Sequence, residues 1–90
     1  MFRAQELTLP LLHPALKILE RYDRENHTQL RETLSVYLKK ERNLLGAAQA
    51  LHIHRNTLKY RLGRIRTLTG LSLSDEEELA YLRLSDWLSV

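Results

Sequence analysis

Residues 43–68 read NLLGAAQALHIHRNTLKYRLGRIRTL, and the stretch divides into two helical patterns around a short break. Ala47, Ala48 and Leu51 line the first, LLGAAQAL, for which Asn43 is a suitable N-cap and His52 the end. Leu58, Leu62, Ile65 and Leu68 line the second, which runs from about Arg55 to about Leu68, with Gly70 available as a left-handed stop. Alanines where two helices cross permit close backbone approach, and Ile53 plugs the corner. This spacing predicts a helix-turn-helix, the motif whose second helix lies in the major groove of DNA.

Working outward, TQLRETLSVYLKKER supplies a third member of the core, with Leu30, Leu34, Tyr37 and Leu38 as its stripe and Asn26 or Thr28 as its cap. Before it, HPALKILERYDREN reads as a helix beginning at Pro14, whose missing N–H would be unpaired at that position in any case. Leu16, Leu19 and Tyr22, helped by Ile18, form its apolar side. After the core, Ser74 and Glu77 match the S-x-x-E capping box, and Asp75 to Glu78 place negative charge at the positive helix end. Ala80, Leu84, Trp87 and Leu88 make a stripe there, and Trp87 is expected to fill the core against the first helix, with an interface anchor as the alternative. The expected fold is all-α: a tri-helical helix-turn-helix core with an additional N-terminal and C-terminal helix. Residues 1–27 form the N-terminal helix and linker, with the joint around Pro10 to Pro14. Residues 28–70 form the core, and 71–90 a C-terminal capping or dimerisation helix.

The net charge of +3 over 90 residues conceals an uneven distribution. Residues 28–70 carry nine bases and two acids, residues 1–27 are balanced, and residues 71–90 carry one base and five acids. From Arg42 to Arg66 there is no Asp or Glu at all. Such a basic middle suits a polyanion, although charged faces also keep small helical proteins soluble. The absence of Cys excludes disulfides and thiolate zinc sites and fits a reducing compartment. No apolar run approaches the roughly 20 residues of a membrane span. The expected address is the bacterial cytoplasm, at the nucleoid when bound.

Projected at helical pitch, residues 55–68 place Asn56, Lys59, Tyr60 and Gly63 opposite the apolar arc. Arg55, Arg64 and Arg66 lie along the flanks, with Thr57 near the start. Asn can pair adenine bidentately, Lys or Arg can donate to guanine, and a Thr methyl can touch thymine. Flanking arginines suit phosphates, and His54, near the N-cap, is placed to reach one. Tyr60 either contacts DNA or packs over an arginine stem. Glycine at position 63 costs about 1 kcal/mol of helix propensity relative to Ala, and is either tolerated or used for close approach. The candidate DNA-binding residues are therefore His54, Arg55, Asn56, Thr57, Lys59, Tyr60 and Arg64. His52 and His54 do not amount to a zinc site, which needs three or four ligands. No metal and no cofactor is expected.

The stretch NLLGAAQALHIHRNTLKYRLGRIRTLTGLSL resembles the C-terminal helix-turn-helix of the PucR family of bacterial transcription regulators, which includes purine-catabolism and sugar-diacid regulators. ALHIHRNTLKYRL followed by LTG is its most specific part, and the likeness extends weakly over about residues 13–90. The resemblance implies a DNA-binding module that follows upstream sensory or regulatory domains in a longer parent chain, with self-association common. Arg55, Asn56, Thr57, Lys59 and Tyr60 match the start of the family's recognition helix, and Asn43 its helix cap. Gly63 departs from the longer polar side chain usual there. An excised fragment, a stand-alone regulator and a natural truncation all fit the sequence.

The reading is a sequence-specific binder of double-stranded DNA, acting as a homodimer because one such helix reads only a few base pairs. Two alternatives are a protein-interaction module on the same scaffold and an architectural DNA binder resembling the Fis type. An enzyme is not expected, since no nucleophile–base arrangement, phosphate loop or paired acids outside a helix cap occur.

Overall fold

The computed structural model describes residues 12–89. Among them are five helices and no strand: α1 Pro14–Asn26, α2 Leu30–Lys39, α3 Leu44–Leu51, α4 Arg55–Thr69 and α5 Glu76–Leu88. The fold is the expected all-α arrangement, with α4 packed on α1, α2 and α3 and with α5 docked on α2. No described helix is long and apolar enough to cross a membrane. Of the expected linker, Pro10 lies outside the described residues.

Local chemistry sets most boundaries. Pro14 opens α1, and His13 caps it by accepting the Ala15 N–H at Nδ1 (3.0 Å). Asn43 accepts the Gly46 N–H at Oδ1 (2.9 Å) to start α3. The turn between α3 and α4 is closed by His52 in the left-handed region (φ 57°), with the Ile53 N–H donating to the Ala48 carbonyl at 3.0 Å. Gly70, also left-handed (φ 76°), ends α4 by donating to Arg66 O at 2.8 Å.

The cap of α2 differs from expectation. Neither Asn26 nor Thr28 supplies it; Asp23, still within α1, accepts the N–H groups of Leu30 and Arg31, each at 2.9 Å. The Thr28 hydroxyl also donates to Asp23. One carboxylate thus joins the end of α1 to the start of α2.

The start of α5 is shifted by one residue. Asp75 rather than Ser74 is the N-cap, accepting from Glu78 N at 2.9 Å, and Glu78 rather than Glu77 reaches back. The Glu78 carboxylate accepts from Leu73 N (2.7 Å), Ser72 N and Ser72 Oγ. Burial works upward on its pKa, but these donors, with His13 nearby, hold it below the ordinary value. Burial lowers the pKa of His13 itself, against the opposing pull of Glu78.

The core is assembled from Ala15, Leu16 and Leu19 of α1, and Leu30, Leu34, Tyr37 and Leu38 of α2. Ala47 and Ala48 come from α3, and Leu58, Leu62 and Ile65 from α4. Leu71, Leu73, Leu79 and Leu82 complete it. Ile53, Leu51, Leu68 and Tyr22 pack against its edge. Ile18, assigned to the apolar side of α1, is instead exposed.

The stripe assigned to α5 faces the opposite way. Ala80, Leu84, Trp87 and Leu88 are exposed, and the helix docks through Leu79, Leu82, Ser85 and Asp86. Trp87 is 74% exposed and does not fill the core. The reason is polar. Asp86 is buried against Arg31 (Oδ1–Nη1 2.7 Å) and accepts from Ser35 Oγ at 3.0 Å. Arg31 donates further to Ser89 Oγ (2.8 Å), and its Nε lies 3.6 Å from Glu20. A hydrogen-bonded ion pair fixes the rotation of α5, placing its larger apolar side chains outside.

Candidate nucleic-acid interface

The outward side of α4 starts at His54. This residue caps the helix by accepting the Asn56 N–H at Nδ1 (2.9 Å), so the neutral ring carries its proton at Nε2, facing away from the cap. Arg55, Asn56, Thr57, Lys59 and Tyr60 follow, and all are exposed. Their side chains have no hydrogen bond or ion pair with other described residues, so their donors and acceptors are uncommitted. The first turn and a half of the helix therefore present polar groups that the fold does not use, backed by the buried seam of Leu58, Leu62 and Ile65.

Arg64 is placed differently from its neighbours. Its Nη2 donates to Tyr22 Oη at 2.8 Å, and its guanidinium lies over the Tyr22 ring, 5.5 Å from the centroid. The hydrogen bond to that hydroxyl raises its already high pKa. The arginine–tyrosine stack in this region is thus made by Tyr22, and Tyr60 is left 69% exposed.

Arg61 was absent from the sequence-derived set. It lies at the edge of the apolar arc and donates to Thr33 Oγ1 at 3.2 Å. Arg61 and Arg64 line a cleft of about 320 Å³ with Tyr22, His27, Thr28, Gln29, Leu30, Thr57 and Tyr60. The signal for Arg61 was its place in the acid-free run; the contribution of Tyr22 and the 27–29 corner depends on long-range packing.

Gly63 faces open space, since a Cβ added there would meet nothing within 4 Å. Gly63→Ala is accordingly expected to stabilise the free domain by about 1 kcal/mol, read as a higher urea midpoint at constant slope. The same variant separates the two roles open for this glycine. Unchanged duplex affinity means tolerance, and a weakened complex means close approach to the ligand.

Among the described residues, no group of three or more His, Asp or Glu is placed to hold a metal ion.

The sequence profile of the PucR C-terminal helix-turn-helix domain matches residues 30–85, from the start of α2 into α5. The chain belongs to this family. It is a helix-turn-helix domain of the kind carried by transcription regulators. It is 41% identical over 85 residues to the carbohydrate diacid regulator of Escherichia coli (strain K12), covering 92% of this chain and 20% of that protein. The proline-responsive transcriptional activator PutR of Bacillus subtilis (strain 168) is 42% identical over 60 residues, 67% of this chain and 15% of PutR. The purine catabolism regulatory protein of the same organism is 45% identical over 56 residues, 62% of this chain and 10% of that protein. The chain thus spans about a fifth or less of the length of these curated relatives. No solved structure is significantly similar to it.

Proposed function

We propose that this domain binds duplex DNA sequence-specifically, with α4 in the major groove, as the DNA-binding part of a bacterial transcription regulator. The observation that carries the reading is the exposed, uncommitted and acid-free run Arg55, Asn56, Thr57, Lys59 and Tyr60 at the start of α4. Asn56 and Lys59 read base edges, Thr57 offers a methyl to thymine, and Arg55 and His54 Nε2–H contact phosphates. Arg64 contacts the backbone from the flank. The DNA-binding unit is 28–70, with α1 and α5 as flanking elements that share its hydrophobic core, and the role is non-catalytic. The names of the similar proteins support a role in transcription regulation; a cytoplasmic address and sensory domains elsewhere in a longer parent chain complete the proposal.

A single α4 reads too few base pairs for useful selectivity, so two copies act on half-sites roughly 10 base pairs apart. The outward stripe of α5, with exposed Leu84, Trp87 and Leu88, is the surface we assign to that pairing.

Selection from a random duplex pool at near-physiological salt tests the reading. Enrichment of a motif, especially an inverted repeat, supports it. Retention without a motif favours an architectural binder, and no retention favours a protein-interaction module. On the selected site, Asn56→Ala and Lys59→Ala are expected to erode discrimination by about 1–3 kcal/mol at one position each. Arg64→Ala should instead weaken all sequences alike. A uniform loss for Asn56→Ala would remove that residue from base reading.

A further inference from the structure

The corner between α1 and α2 closes one side of the cleft on the flank of α4, and this is where paired cations meet without an acid. We infer that this cleft seats one backbone phosphodiester of the bound DNA, gripped by Arg61 and Arg64 and walled by His27 and Gln29, so that the contact surface extends beyond the helix-turn-helix. The inference rests on the major-groove placement of α4 proposed above.

Both guanidiniums are anchored by neutral oxygens, Arg61 by Thr33 Oγ1 (3.2 Å) and Arg64 by Tyr22 Oη (2.8 Å). Neither has a carboxylate partner among the described residues. A guanidinium has five N–H donors, and one hydrogen bond apiece leaves most of them available. The anchoring is also orienting: stacking over the Tyr22 ring limits where Arg64 can point. Two anchored arginines lining one cleft without counter-charge suit a phosphate, which accepts several N–H bonds at once.

Asp23, next to Tyr22 in the chain, is occupied elsewhere. Its two oxygens take the Leu30 and Arg31 amides and the Thr28 hydroxyl, and it does not line the cleft. The side chains of His27 and Gln29 form no hydrogen bond with other described residues and bring further N–H donors to the cleft lining. Thr57 and Tyr60 belong both to the cleft and to the exposed face of α4. That continuity makes the occupant a phosphate of the same duplex rather than a separate ligand. Tyr22 is then a positioning residue, acting through Arg64.

The test uses the selected duplex with single neutral methylphosphonate linkages placed at each position in turn. With the unaltered protein, one linkage per half-site, just outside the recognised base pairs, should weaken binding by roughly tenfold or more, as loss of a charge-assisted contact does. In Arg61→Gln the same substitution should have little additional effect, and the salt slope should fall by about 0.9 with the motif unchanged. Tyr22→Phe, which keeps the ring, should reproduce part of that loss, with folding checked by circular dichroism. A flat scan with tight motif-specific binding would overturn the phosphate seat and leave the groove reading intact. So would unchanged salt slopes in both folded variants. Stabilisation by inorganic phosphate together with a flat scan would assign the cleft to a free anion and overturn the inference. No duplex binding by the unaltered protein would overturn both readings.

Discussion

Asp86→Ala is expected to destabilise the domain by about 3–5 kcal/mol, the loss typical when one partner of a buried ion pair is removed. Arg31 has a side chain only 18% exposed, and it would keep Ser89 and a long approach to Glu20 at 3.6 Å. Those contacts place the result toward the lower end of the range. Asp86 is 5% exposed and also accepts from Ser35, so alanine leaves both a guanidinium and a hydroxyl short of a partner. At this chain length each kcal/mol moves Tm by about 4–8 °C, so the fall should exceed 10 °C. Thermal and urea unfolding will show it. A loss below about 1 kcal/mol would mean that the pair behaves as a solvated surface bridge. Replacing Arg31 and Asp86 together with apolar residues of similar volume should recover much of the deficit, because no charge is then left buried alone.

Leu62→Ala, at the centre of the seam beneath the recognition face, is expected to cost about 2–5 kcal/mol. Leu62 is 2% exposed, between Leu58 and Ile65 at 0%, so the side chain is removed from a filled interior. The total stability of such a domain is about 5–15 kcal/mol, and this one loss removes a large share of it. The polar face above is chemically unchanged. Duplex affinity should therefore fall only with the unfolded fraction, while the preferred sequence stays the same. That outcome is the opposite of the one for Asn56→Ala, and it separates damage to the scaffold from damage to the reader. A shifted motif in folded Leu62→Ala would show that the seam also sets the position of α4.

The parts of the fold that could be read from sequence are those determined within a few residues. Pro14, Asn43, His52 and Gly70 each act through a hydrogen bond or a backbone angle in their own turn, and the helices they bound were legible. Asp23 was not, because it caps a helix seven and eight residues away across a reversal of the chain. The register of α5 failed for a related reason. Its sequence holds two apolar arcs, Leu79 with Leu82 and Ala80 with Leu84, Trp87 and Leu88, and periodicity ranks the larger set first. The choice is made by Asp86, whose partner Arg31 lies 55 residues earlier. Two overlapping cap motifs, Ser74 with Glu77 and Asp75 with Glu78, were likewise indistinguishable by pattern. In the candidate interface, the exposed start of α4 followed from helical projection alone. The Tyr22–Arg64 lock and the cleft beside Arg61 depend on how α1 crosses α4, and no spacing encodes that crossing.

The outward placement of Trp87 has a spectroscopic consequence. It is the only tryptophan in the chain and is 74% exposed in the folded domain. Indole emission is therefore already close to that of a hydrated ring before unfolding, and fluorescence is a poor reporter of the core. The same ring is well placed to report its own covering. A concentration-dependent blue shift would record the closing of the α5 surface against a second copy, an event that leaves helix content unchanged and circular dichroism silent.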